Sequence, residues 1–228
     1  RDAARQLPPG SKVLTHGLKQ IKSTLGEMYH KYPQTLRYLI AFLLYNDGIQ
    51  TVIVVSAAFA ADELGVAAQS LLLLILMIQF VALFGAVGFG RLAGRIGAKR
   101  AIIVSLIIWS LIVIVAYALL YEEWQLFVIG FFIALVLGGS QALSRSLFSQ
   151  MIPADQEAEY FGFYEISERS SSVLGPFIFA LALQLTGSQR LAFVSLIILF
   201  IVGLALLIRV NVRQAIVDAG NDPEGVVL

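Results

Sequence analysis

The sequence predicts an all-α, polytopic membrane protein with six transmembrane helices. The first observation is composition: 58% of the 228 residues are hydrophobic and 14% are charged, with a mean hydropathy of +0.83. Soluble domains carry roughly 25% charged residues, so this composition excludes them. The second observation is a series of apolar runs that reach or nearly reach the roughly 20 residues needed to cross a bilayer core. The third is a short, wholly basic segment between the second and third runs.

The apolar runs, taken in order, define one transmembrane domain. They cover residues 36–61, 67–89, 101–120, 124–150, 160–185 and 191–208. Because the connections are short, consecutive helices should run antiparallel. We expect a basic, amphipathic cytoplasmic linker at 1–35, the six-helix domain at 36–212, and a polar, poorly ordered cytoplasmic tail at 213–228. Since the sequence opens with Arg1, we expect it to be a piece of a longer chain.

Apolar residues in the linker recur at helical spacing. They lie at steps of three and four, with lysines between them: Leu14, Leu18, Ile21, Leu25 and Met28. This pattern is typical of an amphipathic helix on an anionic membrane surface. A solvated linker helix is the alternative.

The distribution of Lys and Arg predicts the orientation. Seven lie in the segment that ends at Arg37, four in the loop after the second span, and two, Arg209 and Arg213, after the sixth span. The loops after the first, third and fifth spans contain only Arg190. Because cytoplasmic loops carry an excess of Lys and Arg, both termini should be cytoplasmic. In a prokaryote the membrane would be the cell (inner) membrane.

Polar side chains within the spans are the first candidate site. An ionisable residue at the centre of a bilayer costs roughly 2.5–3.5 kcal/mol on insertion scales, so it needs a partner or a wet cavity. Asp47 lies about 15 Å along the first helix from Arg37. Its polar neighbours and those of the fourth span are candidates for substrate binding or proton coupling: Asn46, Gln50, Gln141 and Ser144. The alternative is a structural pairing of Asp47 with another helix.

Charged residues at the junction of the fourth and fifth spans form the second candidate group. Glu165, Glu168 and Arg169 share one face of the fifth helix because of their spacing. A short loop should bring Arg145 within reach of Glu165 or Glu168. We interpret this group as an ion-pair network that acts as a gate or as a structural clamp. Pro176 should kink the fifth helix.

Signals for enzymatic chemistry are lacking in the sequence. Cysteine is absent, and the two histidines, His16 and His30, lie in the linker. The sequence has no metal-ligand cluster, no nucleotide-binding glycine loop and no Ser/His/Asp set. We therefore expect a protein that is not an enzyme, with no cofactor, no metal and no nucleic-acid partner.

The basic segment carries a family resemblance. Its residues Gly90, Leu92, Arg95, Gly97, Lys99 and Arg100 resemble the loop motif Gly-x-Leu-x-Asp-Arg-x-Gly-x-Lys/Arg-Lys/Arg of the major facilitator superfamily. In that superfamily the motif joins the second and third helices of a six-helix half. This sequence departs from the motif at Gly94, where the family usually has Asp.

Three further strings resemble the vacuole-effluxer-like branch, also called the unknown major facilitator family. They are Tyr-Asn-Asp-Gly at 45–48, Gly-Ser-Gln-Ala-Leu-Ser-Arg-Ser at 139–146 and Tyr-Phe-Gly-Phe-Tyr at 160–164. The resemblance covers about residues 36–212 and implies half of a major facilitator fold. It fits the C-terminal half, with the basic linker joining it to an N-terminal six-helix half of the same full-length chain.

The resemblance also implies a function. In this superfamily the first and fourth helices of each half line a central cavity, which places Asn46, Asp47, Gln50, Gln141 and Ser144 at the site. We therefore expect secondary transport of a small solute by alternating access, with the lipid bilayer, the other half, the solute and protons as partners. Fungal relatives export amino acids from vacuoles, so an amino acid or related metabolite is the candidate solute. The alternative is a non-transporting six-span scaffold or partner subunit.

Overall fold

The protein is helical throughout the part of the chain that the structure describes. This computed structural model describes residues 24–170 and 173–223. After a helical segment at 24–31, the helices of the described residues are α1 (Pro33–Asp62), α2 (Ala68–Ile96), α3 (Ala98–Leu119), α4 (Glu123–Gln150), α5 (Glu157–Ser170), α6 (Leu174–Thr186), α7 (Gln189–Ser195), α8 (Ile197–Arg209) and α9 (Val212–Asp218).

Five stretches of the described residues are helical, long and apolar enough to cross a membrane. They are α1, α2, α3, α4 and the α7–α8 pair, Gln189–Arg209, and they match the first four predicted spans and the sixth. The prediction of an all-α, polytopic membrane protein is thereby confirmed. The chain is an integral, multi-pass membrane protein.

The fifth predicted span differs from the prediction of one kinked helix over 160–185. It consists of α5 and α6, on either side of residues 171–172, which lie outside the described residues. Pro176 is the third residue of α6, within its first turn. Proline lacks an N–H group, and the first turn of a helix has no intrahelical acceptor for one. Pro176 therefore lies at the start of a helix instead of bending a longer one.

The first helix lies at the centre of the bundle. It packs against α4, α5, α6 and α8, and its aromatic residues Tyr38, Phe42 and Tyr45 are buried. Elsewhere in the bundle, the ring of Trp109 on α3 stacks on that of Phe200 on α8, with their centroids 5.9 Å apart. By contrast, most side chains of α2 point outward, and many of them are large and apolar. An exposed apolar surface of this kind is typical of contact with lipid or with another membrane domain.

Glycines allow α2 and α4 to pack closely. A Cβ atom at Gly138 would lie 1.9 Å from the carbonyl oxygen of Ala82, and one at Gly85 would lie 2.1 Å from that of Leu135. Small residues at such crossings let two membrane helices approach to backbone contact. The glycine pair at 138–139 thus admits a neighbouring helix, since a Cβ atom at Gly139 would also lie 2.3 Å from the ring of Phe89 on α2.

The tail is more ordered than predicted, up to residue 223. Helix α9 buries Val212, Ala215 and Ile216 against the bundle. Downstream, the side-chain amide of Asn221 donates to the carbonyl oxygens of Gln150 and Ile152, at 3.0 and 2.9 Å. The expectation of a poorly ordered tail is wrong for these residues because they carry a short apolar stripe at helical spacing.

The linker is described only from residue 24, so most of its predicted amphipathic face lies outside the described residues. In the helical segment 24–31, Met28 is buried and Leu25 is exposed. The buried hydroxyl of Thr24 donates to the carboxylate of Glu159 on α5. The end of the linker therefore packs against α5, whereas the membrane-surface helix over the preceding residues stays a prediction.

Candidate functional site

The carboxylate of Asp47 on α1 contacts the first turn of α6, the second of the two helices that form the fifth span. Asp47 lies halfway along the 30-residue α1 and is fully buried. The N–H group of Gly175 donates to Asp47 Oδ2 at 2.8 Å, and the N–H groups of Val173 and Leu174 also interact with this carboxylate. The first N–H groups of a helix have no intrahelical acceptor. Asp47 thus caps α6 from a neighbouring helix and places a negative charge at the positive end of its dipole.

The contact between α1 and α6 is very close. A Cβ atom at Gly175 would lie 2.0 Å from Thr51 Oγ1, so only glycine fits at that position without a shift of the helices. Thr51 lies one helical turn after Asp47. Among the described residues, the buried atoms Asp47 Oδ1 and Thr51 Oγ1 have no hydrogen-bond partner. The junction thus contains two buried oxygen atoms that no described residue satisfies.

Ser144 joins α4 to α1 in a second polar cluster. Its hydroxyl donates to the carbonyl oxygen of Ser140 at 2.6 Å. A hydroxyl has a single hydrogen, so the Tyr45 hydroxyl, 2.6 Å away, must donate to Ser144 Oγ. The Tyr38 hydroxyl donates to the backbone oxygen of Ser144 at 2.8 Å. Ser144 is thus buried at a helix contact.

The five predicted solute-binding residues differ in their hydrogen-bond partners and in their exposure. Asp47 bonds to α6, whereas Ser144 bonds to Tyr45 and Ser140. Asn46 is buried beside Asp47, and Gln50 and Gln141 are partly exposed. Of the five residues, Gln50 and Gln141 are therefore the ones with side-chain surface open to a solute in this conformation.

An aromatic cluster connects α1, α4 and α5 beside these residues. The ring of Phe42 stacks on that of Tyr164 with centroids 4.3 Å apart, and Phe148 lies 5.1 Å from Tyr164. Such pairs contribute about 0.5–1.5 kcal/mol beyond their buried area.

Four residues of these contacts were not predicted as site residues from the sequence: Thr51, Gly175, Tyr38 and Tyr164. The run of Ser, Gly and Pro over 170–176 is a signal that could have located the helix break.

The second candidate group contains an ion pair. Arg145 Nη2 lies 2.6 Å from Glu165 Oε1, and the guanidinium also lies over the ring of Phe161, 5.6 Å from its centroid. The two charged side chains are 56% and 40% exposed, so the pair is not buried. Glu168 is partly exposed and has its own interaction, and Arg169 is exposed. The pair joins α4 to α5 near one end of the bundle.

Two residues of the basic loop have structural roles. Gly97 has a positive φ of 92°, which ends α2 and starts α3 in a conformation that favours glycine. The ammonium of Lys99 donates to the carbonyl oxygens of Ile208 and Val210, at 2.8 Å each. A cation at those carbonyls stabilises the C-terminal end of α8. Of the other loop residues, Leu92 packs against the core, and Arg95 and Arg100 are exposed.

The described residues offer no site for a metal ion. Within 24–170 and 173–223, no three His, Cys, Asp or Glu side chains are grouped so that they could hold one.

Comparison with known proteins gives the family. The chain is 32% identical over 195 residues to an uncharacterized MFS-type transporter, YxiO, of Bacillus subtilis, a match that covers 86% of this chain and 45% of that protein. It is 27% identical over 242 residues to autophagy-related protein 22-1 of Aspergillus fumigatus, covering 94% of this chain and 40% of the relative. Autophagy-related protein 22 of Kluyveromyces lactis is 29% identical over 189 residues, covering 78% and 38%.

The chain thus spans less than half the length of these curated relatives. The family model described as "Vacuole effluxer Atg22 like" matches residues 1–220, which is nearly the whole sequence. That match, together with the apolar helical spans, confirms the resemblance drawn from the sequence strings. The chain belongs to the vacuole effluxer Atg22-like family.

Proposed function

We propose that this chain forms one six-span half of a secondary transporter, which moves a small solute across a membrane by alternating access. An amino acid or a related metabolite is the proposed solute class. The other half, in this proposal, is a second six-helix unit of the same full-length chain. Both termini of this half face the cytoplasm.

The observation that carries the proposal is the junction of Asp47 with α6. The fifth span is interrupted, and the N-terminal end of its second helix is held by a buried carboxylate halfway along α1. Transporters place substrate and ion sites at interrupted helices near the middle of the membrane, because freed backbone groups and helix ends provide polar contacts there. A buried carboxylate with one oxygen atom that no described residue satisfies could also bind and release a proton.

The relatives support the same proposal. One is named an MFS-type transporter, and the matching family is described as effluxer-like. The chain covers about 45% of the first of these proteins, a share that fits half of a two-half transporter. Exposed apolar residues on α2 and α6, such as Phe84 and Phe177, supply surface for lipid and for a second half.

Metabolite profiling of cells with and without the complete gene tests the proposal. We expect the level of at least one small solute to change inside the cells and in the opposite sense in the medium. Expression of the wild-type gene should restore both levels, and Asp47→Asn expressed at the same level should not. Normal solute levels in the deletion strain, over a broad panel of amino acids and related metabolites, would favour the scaffold or partner subunit.

A further inference from the structure

A basic cavity lies at the end of the bundle where the start of α3, the end of α8 and the start of α9 meet. Its volume is about 480 Å³. Four cationic side chains contribute to its wall: Lys99, Arg100, Arg209 and Arg213. Among the residues that the structure describes, no acidic residue lines this cavity. The cavity therefore has an excess of positive charge that favours an anion.

The donors are arranged for a phosphate group. Lys99 already bonds to carbonyl oxygens of the α8 end, whereas Arg100, Arg209 and Arg213 are exposed on the cavity rim. A guanidinium presents paired N–H donors that match two oxygen atoms of a phosphate. The first three residues of the 22-residue α3, Ala98, Lys99 and Arg100, also line the cavity. The first N–H groups of a helix have no intrahelical acceptor and lie at the positive end of its dipole, which favours an anion nearby.

Apart from Asn211, the rest of the wall is apolar. Ile103, Leu147, Val210 and Val212 are among its apolar residues. Ile208 is 55% exposed and continues the apolar surface onto the outer face of α8. A ligand with a phosphate at one end and hydrocarbon at the other would contact both surfaces. The cavity thus combines the two chemistries of a glycerophospholipid.

We propose that this cavity binds the phosphate group of an anionic glycerophospholipid from the adjoining leaflet. Basic pockets between transmembrane helices bind anionic head groups through charge and phosphate hydrogen bonds. The bound lipid bridges α3, α8 and α9 and holds the tail helix on the bundle. Free inorganic phosphate shares the recognised group, so the test separates the two sources. The proposal does not depend on solute transport, because the cavity and the Asp47–α6 junction have no residue in common.

Thermal unfolding of the complete protein in detergent tests the site. The probes are dioleoyl phosphatidylglycerol, dioleoyl phosphatidylcholine and inorganic phosphate, each titrated separately. We expect phosphatidylglycerol to raise the unfolding midpoint by at least about 3 °C, because a ligand that binds only the folded state stabilises it. Phosphatidylcholine should have no effect. Inorganic phosphate should give less than about half of the shift, because it lacks the apolar contacts.

Two matched double variants locate the effect. Arg209→Gln with Arg213→Gln should weaken phosphatidylglycerol binding at least about tenfold, and the corresponding Lys pair should retain most of it. Arg91→Gln with Arg95→Gln removes the same charge from exposed positions in the last two turns of α2 that do not line the cavity, and binding should remain within about twofold of wild type.

The results of these experiments distinguish an anionic lipid from a soluble anion as the ligand of the cavity. Native mass spectrometry of the wild-type protein provides a second readout that does not rely on variants, and it should detect retained phosphatidylglycerol. An equal shift with phosphatidylcholine, or equal weakening by the two Gln pairs, would overturn the proposal. A full shift with phosphate alone would overturn the lipid as the source and identify a soluble anion instead.

Discussion

Asp47 caps α6, and this structural role can be separated by substitution from the role in proton coupling that we propose for it. Its carboxylate accepts from Gly175 with one oxygen atom, while the other has no partner among the described residues. An asparagine keeps one acceptor of the same shape and loses the proton-binding site. An alanine loses the acceptor as well. The two substitutions therefore separate capping of α6 from proton coupling.

We expect Asp47→Asn, in the complete protein, to insert and purify like wild type but to lose proton-driven accumulation of solute, while downhill exchange partly continues. Asp47→Ala should in addition lower the free energy of unfolding by about 1–2 kcal/mol, since an uncapped helix end is left at the junction. Thermal unfolding and solute flux across a pH gradient are the measurements. Wild-type accumulation by Asp47→Asn would show that this carboxylate is structural only.

Gly175 is required by the closeness of α1 and α6. We expect Gly175→Ala to move the two helices apart, lower the unfolding midpoint by an amount equivalent to about 1–3 kcal/mol, and reduce transport, because the new methyl group overlaps Thr51. Gly162→Ala is the matched control on α5, where a Cβ atom would meet nothing within 4 Å. If both variants behave alike, the close contact at Gly175 has no energetic importance.

The sequence predicted which polar residues lie within the spans, because that depends only on side-chain chemistry and spacing. The importance of Asp47 followed from its charge in an apolar span. The partners of Asp47 and Ser144 did not follow, because hydrogen bonds between helices depend on how the helices rotate and cross. Ser144, for example, was expected at a solute cavity and instead bonds to Tyr45.

At the scale of elements, Lys and Arg side chains donate to the carbonyl oxygens at the C-terminal ends of neighbouring helices. Lys99, at the start of α3, bonds to the last carbonyl oxygens of α8. At the opposite end of the bundle, Arg190, at the start of α7, donates to the carbonyl oxygens of Tyr117 and Leu120 at the end of α3, at 3.2 and 2.7 Å. This reciprocal arrangement satisfies carbonyl groups that a helix end otherwise leaves without donors.

The Arg145–Glu165 ion pair connects α4 to α5 and is half exposed. Surface pairs contribute about 0–1 kcal/mol, so Arg145→Glu should change the unfolding free energy by less than about 1 kcal/mol. If the pair acts as a gate, the same variant should reduce the transport rate several-fold, and combining it with Glu165→Arg should recover part of the rate. A transport rate insensitive to Arg145→Glu would make the pair a surface contact without a gating role.

Elements with long apolar runs were predicted well, and interrupted or short ones were not. Hydropathy defined α1 to α4 because each is a continuous run. The same measure joined α5 and α6 into one span, because it averages over the two serines between them. It also missed α9, whose buried stripe of Val212, Ala215 and Ile216 is shorter than a membrane span.

At the scale of the whole molecule, the orientation follows from the Lys and Arg distribution and stays a prediction. The sequence contains no cysteine, so single cysteines provide a clean label. Cysteines at the exposed positions Glu63 and Glu122 should react with an impermeant thiol reagent in intact cells. A cysteine at the exposed Gly94 should react only after lysis. The reverse pattern would invert the assignment.

Exchange of solute across a membrane tests the proposed alternating access most directly. The complete protein is reconstituted in liposomes loaded with an unlabelled solute whose cellular level depends on the gene, and entry of the labelled solute is followed. Alternating access predicts entry that saturates with concentration, exceeds that of protein-free liposomes at least about tenfold, and requires the unlabelled solute inside. Entry equal to that of protein-free liposomes, for every solute that the gene affects, would contradict transport by this protein.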